Sequence, residues 1–279
     1  MQTILRRQVG PHARLAFFDD PHEEEGWDAE WAQYRAEDIP ALIEYFRGDV
    51  VLGQAFARWL EPGGRVLEAG CGFGYWVSIL AERGYRAVGL DYSPVALRTG
   101  RERLRDVDLL LGNILRMPFP EGAFDGVVSL GVVEHFEEGP DAALRELWRV
   151  IRPGGMLLLA VPYLSPARRI ASRPAVAERG SHFHQWAFTK EEMIGRIEAA
   201  RFSIAGLVPY GAIKTLSDEV GVLRRLRDRM SSRKPGGATL QKAPASAPGW
   251  KQVFRRRVLE VAPLRYLAAH MMLYAARRR

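Results

Sequence analysis

Between residues 61 and 208 the chain alternates short apolar runs with stretches of helical spacing. Arg65-Val66-Leu67-Glu68-Ala69 reads as a strand, and residues 74–83 as a helix ended by Gly84. A second strand covers Arg86 to Leu90. Ser93-Pro94 then opens a helix, with the serine as N-cap and the proline at the first helical position. Val107–Leu111 and Phe124–Leu130 read as the third and fourth strands. Pro140–Ile151 reads as a helix closed by Arg152-Pro153-Gly154-Gly155, and Met156–Val161 as a fifth strand. An irregular stretch is expected from Pro162 to about Phe188. Thr189 and Glu192 form a capping box for a helix through Ala200, and Phe202–Val208 is a sixth strand. Strands alternating with helices predict a parallel sheet covered on both faces.

The flanks follow other patterns. Residues 21–60 read as helical, with Trp27, Trp31, Tyr34, Ile39, Leu42, Ile43 and Phe46 near helical spacing. The expected organisation is a helical cap over 1–60, a domain over 61–215, a basic helix over 216–230, a linker over 231–249 rich in Pro, Gly, Ser and Ala, and an apolar, basic helix over 250–279 bent at Pro263.

Composition changes the picture in two places. One cysteine among 279 residues excludes an internal disulfide, and 47% hydrophobic with 26% charged residues is ordinary for a globular chain. The net charge of +7 is unevenly spread: residues 221–279 hold 15 Lys and Arg against two acids, while the first 220 hold 25 against 31. A basic extension on an acidic body suits an anionic surface, membrane or nucleic acid, although arginine-rich helices are also simply well solvated. Residues 1–20 contain Arg6, Arg7 and Arg14 but no continuous apolar run, so a cytoplasmic protein is expected. The apolar stretch 258–276 is interrupted by Glu260, Pro263, Arg265 and His270 and flanked by Arg255-Arg256-Arg257 and Arg277-Arg278-Arg279. That suits a segment lying on a membrane surface better than one crossing it, with residues 220–279 making the contact. A helix docked on the domain and a dimer interface are the rivals.

The densest chemistry is Glu68-Ala69-Gly70-Cys71-Gly72-Phe73-Gly74. A strand ends in a carboxylate, and a Gly-x-Gly-x-Gly turn then opens a helix whose amides face a ligand. The dinucleotide pattern would need Gly where Tyr75 stands, and no P-loop Lys-Ser/Thr follows. A carboxylate beside the turn repels a pyrophosphate and suits an ammonium or sulfonium. The second strand ends in Asp91-Tyr92, placed for a ribose diol. The third ends in Gly112-Asn113-Ile114, an amide and an apolar side chain suited to an adenine edge and face. The fourth ends at Leu130, on the same rim.

From Val66 to Val161 the chain resembles the class I S-adenosylmethionine-dependent methyltransferases of the broad type 11 group. The resemblance rests on Glu68-x-Gly70-x-Gly72-x-Gly74, Asp91, Met117-Pro118-Phe119, Phe124-Asp125 and Leu147-x-Arg149-Val150-x-Arg152-Pro153-Gly154-Gly155. It departs from the family at Asn113, where Asp is usual, and in lacking a clear seventh strand after Tyr210. The resemblance implies a Rossmann-like, doubly wound sheet with a helical N-terminal lid, to which the chain's own pattern adds a basic helical C-terminal extension. It implies S-adenosyl-L-methionine as cofactor, held by Glu68, Gly70, Cys71, Gly72, Gly74, Asp91, Tyr92, Asn113, Ile114 and Leu130, with Tyr34 as lid residue. Ordinary packing of an amphipathic helix explains Tyr34 equally well.

Methyl transfer from a sulfonium is an in-line displacement, so orientation matters most and a base is needed only if the nucleophile must lose a proton. His135 and His184 are the candidate bases; holding a loop and packing in a core are their structural alternatives. No metal is expected. The expected activity is methylation of a small-molecule or lipid-like acceptor at O, N or C. Alternatives are RNA methylation through the basic extension, or a cofactor-binding subunit without turnover. Ser129-Leu130-Gly131-Val132 lacks the Asn/Asp-Pro-Pro-aromatic motif of base-amino methylation, which disfavours a nucleic acid base.

Overall fold

The computed structural model describes residues 4–7, 14–19, 26–171, 182–212 and 266–279. Its elements begin with β1 (Ile4–Arg7), β2 (Leu15–Asp19), α1 (Trp27–Ala32), α2 (Ile39–Arg47) and α3 (Val50–Trp59). Next come β3 (Arg65–Ala69), α4 (Tyr75–Glu82), β4 (Arg86–Asp91), α5 (Pro94–Arg103), β5 (Asp108–Leu111) and β6 (Phe124–Leu130). The remainder are α6 (Asp141–Val150), β7 (Ile151–Pro162), α7 (Pro166–Ala171), β8 (His182–Ala187), α8 (Lys190–Ala199), β9 (Phe202–Tyr210) and β10 (Met271–Arg278). They divide into two compact units: Met1–His22 with Val161–Met193 and Val208–Leu273, and Glu23–Ala160 with Ile194–Leu207 and Tyr274–Arg279.

The second unit is built on a seven-stranded sheet in the order β5-β4-β3-β6-β7-β10-β9. Strands β3 to β7 pair in parallel. From β3 the chain steps outward through α4 and α5 to β4 and β5, then returns to β6 and steps the other way through α6 to β7. Right-handed crossovers therefore put α4 and α5 on one face and α6 on the other. Covered on both sides, Val66, Leu67, Ala69, Val127, Val128 and Leu157 to Val161 are buried almost completely. The strand order reverses between β3 and β6, and the crevice at the carboxyl ends of those two strands is where such sheets bind ligands.

Local chemistry holds the rim segments. The Ser93 hydroxyl accepts the Ala96 amide at 3.1 Å, capping α5 as its Ser-Pro start predicts. Arg149 donates to the carbonyls of Phe119 (2.7 Å) and Met117 (3.0 Å), while Glu146 accepts the Met117 amide at 2.7 Å. The Met117-Pro118-Phe119 segment is thus tied to α6.

In the first unit β1, β2 and β8 form an antiparallel sheet. Leu15, Phe17, Leu164 and Ala187 make its core, and Arg14 lies over the Trp186 ring at 3.8 Å.

Three expectations are corrected. The expected 1–60 helical cap holds three helices, but residues 4–7 and 15–19 are strands; Leu15, Ala16 and Phe17 are all buried, so no alternation marks them. The stretch expected to be irregular contains α7 and β8. The helix expected over 250–279 is, from Met271, a strand inserted between β7 and β9. Arg279 donates to the Arg201 carbonyl and His270 to that of Tyr210, so β10 runs antiparallel to β9 and is the seventh strand not evident after Tyr210. Met272 to Ala276 are fully buried, and a short unbroken apolar run has no periodicity to separate strand from buried helix. The basic helix and linker expected over 216–249, and residues 250–265, lie outside the described residues.

Candidate functional site: a carboxylate and glycine turn at the switch point

The turn after β3 has positive φ at Gly70 (85°), Gly72 (52°) and Gly74 (84°), the left-handed region that side chains disfavour. Space forbids side chains as well. A Cβ at Gly70 would overlap Val132, and one at Gly74 would stand 2.6 Å from Leu109 Cδ2. The amides of Gly70 and Cys71 donate to the Leu90 carbonyl at 2.8 and 3.0 Å, locking the turn to the end of β4.

Asp91 completes that lock. Its Oδ2 accepts the Gly72 amide at 2.7 Å and its Oδ1 the Ser93 amide at 2.9 Å. Burial raises its carboxyl above the ordinary value, while the Ser93, Gly72 and Tyr92 amides oppose the rise. Each carboxylate oxygen accepts more than one hydrogen bond, so the pair keeps capacity for a diol.

Glu68, 3% exposed, sits at the end of β3. Its Oε2 has no hydrogen-bond partner. Burial, then the Asp91 charge, pushes its carboxyl well up, against the Val77 amide. A buried, orphaned carboxylate oxygen beside a turn of bare backbone fits a ligand that brings a cation and hydrogen-bond donors.

The remaining expected positions divide. Cys71 turns its side chain into a core with Val77, Leu97 and Leu109, where burial raises the thiol pKa; only its backbone belongs to the turn. Asn113 Oδ1 accepts the Leu115 amide at 2.8 Å, so the oxygen expected to meet an adenine amino group is engaged in its own turn. Ile114 is buried, Leu130 half-buried and Tyr92 more than half exposed. His184 stands half-buried on β8, in the other unit, on a strand and not in a loop.

Helix α1 roofs the turn. Trp31 lies against Gly72, 3.0 Å from where a Cβ would stand, and meets the Phe73 ring edge-on at 4.7 Å. Tyr34, the expected lid residue, meets the same ring at 5.5 Å. Trp27 stacks on Trp31 at 6.0 Å and meets the His135 ring at 4.6 Å and 87°. Ser93 donates its hydroxyl to Asp28, fastening α1 to the start of α5. The structure also shows a residue to which sequence reasoning gave no role. Glu134 lies in a 3-10 turn, Val133–His135, 2% exposed, with Oε2 unpartnered and its carboxyl pushed up by burial to about 8. Only its position beside His135 at a strand end signalled it.

A doubly wound sheet with an acidic glycine turn at its switch point defines a nucleoside-binding α/β enzyme whose ligand carries positive charge. The methyltransferase domain family matches residues 67–159. Over 222 residues the chain is 31% identical to a protein of Mycolicibacterium smegmatis named "Probable S-adenosylmethionine-dependent methyltransferase", covering 77% of this chain and 79% of that one. It is 39% identical over 123 residues to the malonyl-[acyl-carrier protein] O-methyltransferase of Serratia marcescens, with 44% and 47% covered. It is 35% identical over 130 residues to the demethylmenaquinone methyltransferase of Renibacterium salmoninarum, with 43% and 54% covered. The chain spans about half the length of those last two. Solved structures share the fold: a Haloferax volcanii methyltransferase in complex with the Trm112 activator (TM-score 0.58, 20% identity, 91% and 98% covered) and a Mesorhizobium loti methyltransferase (0.53, 17%, 83% and 100%). The chain belongs to the S-adenosylmethionine-dependent methyltransferases, and its cofactor is S-adenosylmethionine.

Proposed function

We propose that the chain methylates a small, lipid-like acceptor of the hydroxylated aromatic class. The aromatic roof carries this reading: Trp27, Trp31 and Tyr34, all half-buried, lie beside the glycine turn, where a planar apolar ring finds stacking partners. The relative from Renibacterium salmoninarum, named for a quinone, supports it; the one from Serratia marcescens, named for an acyl thioester, keeps a second small-molecule class in view.

Bound at the turn, S-adenosylmethionine supplies an electrophilic methyl group on a sulfonium. Glu68 is assigned to the cofactor's ammonium, which the demethylated product keeps, Asp91 to its ribose, and the amides of the glycine turn to its polar main body. Ile114 and Leu130 are assigned to the adenine side. Helix α1 excludes water and holds the acceptor against the methyl, and orientation of this kind contributes roughly 7–11 kcal/mol in well-aligned systems.

The basic segment fits an approach to an amphipathic acceptor at an anionic surface. Within 271–278 the strand is buried except at Met271 and Arg277, so the reading rests mainly on the cations of 213–265. Among the described residues no helix is long and apolar enough to cross a membrane.

The test is transfer of a deuterated methyl group to 1,4-dihydroxynaphthalene, to malonyl-pantetheine and to bulk RNA, read by mass spectrometry. Labelling of the naphthalenediol is expected. Labelling confined to the thioester or to RNA would replace this reading.

A further inference from the structure

Among the described residues, Glu134 is a strongly perturbed acid at the rim to which the proposed cofactor assignments give no part. Its 3-10 turn follows β6 directly, across the switch point from the glycine turn. The turn is held on two sides. Val132 fills the space that a Gly70 side chain would need, and His135 packs edge-on against Trp27 of α1. Gly131 has φ 74° and donates its amide to the Ala160 carbonyl at 2.9 Å, fixing where the turn leaves the strand. With no side chain at Gly131, nothing from that residue covers Glu134 Oε1; a Cβ there would stand 3.6 Å away. Glu134 is therefore enclosed where cofactor turn, strand end and roof helix converge, with one oxygen lacking any partner. A buried polar atom left unsatisfied is costly unless a ligand completes it.

We propose that Glu134, and not His135 or His184, takes the proton from the acceptor's nucleophile. This rests on the reading that the acceptor presents an O–H or N–H. The Glu134 carboxylate removes that proton, and the electron pair of the broken bond forms the new bond to the methyl carbon. The carbon–sulfur pair stays on sulfur, which departs as a neutral thioether, and the proton passes from Glu134 to solvent when the product leaves. The free protein holds the acid protonated near neutrality, because burial raises it to about 8 with only its own backbone amide opposing. Titratable and charged groups on the surrounding elements are His135 in its own turn, Glu68 on β3 and Asp28 on α1; none contributes to the rise. The base therefore forms only when the sulfonium arrives, since an opposite charge within about 4–6 Å lowers a carboxyl pKa by roughly one to three.

The test needs no acceptor. Full-length protein is titrated at pH 7 with S-adenosylmethionine and with S-adenosylhomocysteine, in buffers of different ionisation heat, to count protons released. The sulfonium ligand is expected to release roughly half a proton to one proton more per site than the thioether. In Glu134→Gln that difference is expected to vanish while S-adenosylhomocysteine affinity stays within about threefold. Equal release by the two ligands in the native protein, or a difference that survives in Glu134→Gln, overturns the proposal. Should Glu134→Gln fail to fold, infrared difference spectra of the native protein replace it. Loss of a protonated-carboxyl band on adding S-adenosylmethionine but not S-adenosylhomocysteine, moved in frequency by Glu134→Asp, supports the assignment; persistence of the band overturns it. A wrong acceptor class leaves the proton difference intact and shows only as unlabelled naphthalenediol.

Discussion

At Gly100 a single added carbon would overlap the Phe73 carbonyl, because α5 crosses the glycine turn with no room for a side chain. Gly100→Ala must move backbone, so it is expected to lower stability by about 1–3 kcal/mol, read by thermal unfolding. Gly70→Ala combines a φ of 85° with the Val132 overlap. Calorimetry is expected to show S-adenosylhomocysteine affinity reduced at least tenfold; Val132→Ala in the same chain relieves only the overlap and restores part of it. Glu134 makes a pH prediction of definite sign. The unfolded acid loses its proton near the ordinary 4.5, the folded one near 8. Its contribution to stability is complete below the lower value and disappears as pH rises through the upper one. Relative to Glu134→Gln, the native protein should therefore lose melting temperature between pH 5 and 9; a parallel pair of curves would contradict the burial argument. Much of this site could be read from residue types. Backbone demands glycine at 70, 72 and 74, and Asp91 ends a recognisable strand. Hidden from sequence were matters of orientation that depend on distant packing: Cys71 facing the core, Asn113 engaged by Leu115, and Glu134 sealed with one oxygen unpaired.

Among the elements, β10 departs furthest from expectation. The alternating middle of the chain was readable because helix spacing and strand runs take turns there. Strand β10 escaped notice because it is buried along most of its length, where apolar residues simply succeed one another. Position in the sheet then matters more than composition. Arg278, 5% exposed, donates to the Arg149 carbonyl at 3.1 Å and to the Ile151 carbonyl, pairs with Glu121, and lies 3.7 Å from the Trp148 ring centre. Arg278→Ala leaves buried carbonyls without donors and is expected to cost about 2–4 kcal/mol in a denaturant titration. Deleting residues 271–279 removes a strand flanked on both sides and should abolish soluble, cofactor-binding protein.

In the whole molecule, charge and topology meet between β9 and β10. The cations expected to form a trailing extension belong instead to a stretch joining two neighbouring strands. Replacing residues 216–265 by a short Gly-Ser turn is therefore expected to keep the sheet and S-adenosylhomocysteine binding while reducing co-sedimentation with anionic liposomes. Retained co-sedimentation would assign surface attachment elsewhere.

That topology also bears on how the protein assembles. Adjacent antiparallel strands ordinarily meet across a few residues, whereas 60 separate Tyr210 from Met271. Closing a loop of about that length in a flexible chain, in place of a four-residue one, adds roughly 2 kcal/mol of entropy cost. Strand β9 gains its neighbour only after a distant encounter, so the last step in zipping the sheet is expected to be slow, and joining the strands directly should hasten refolding.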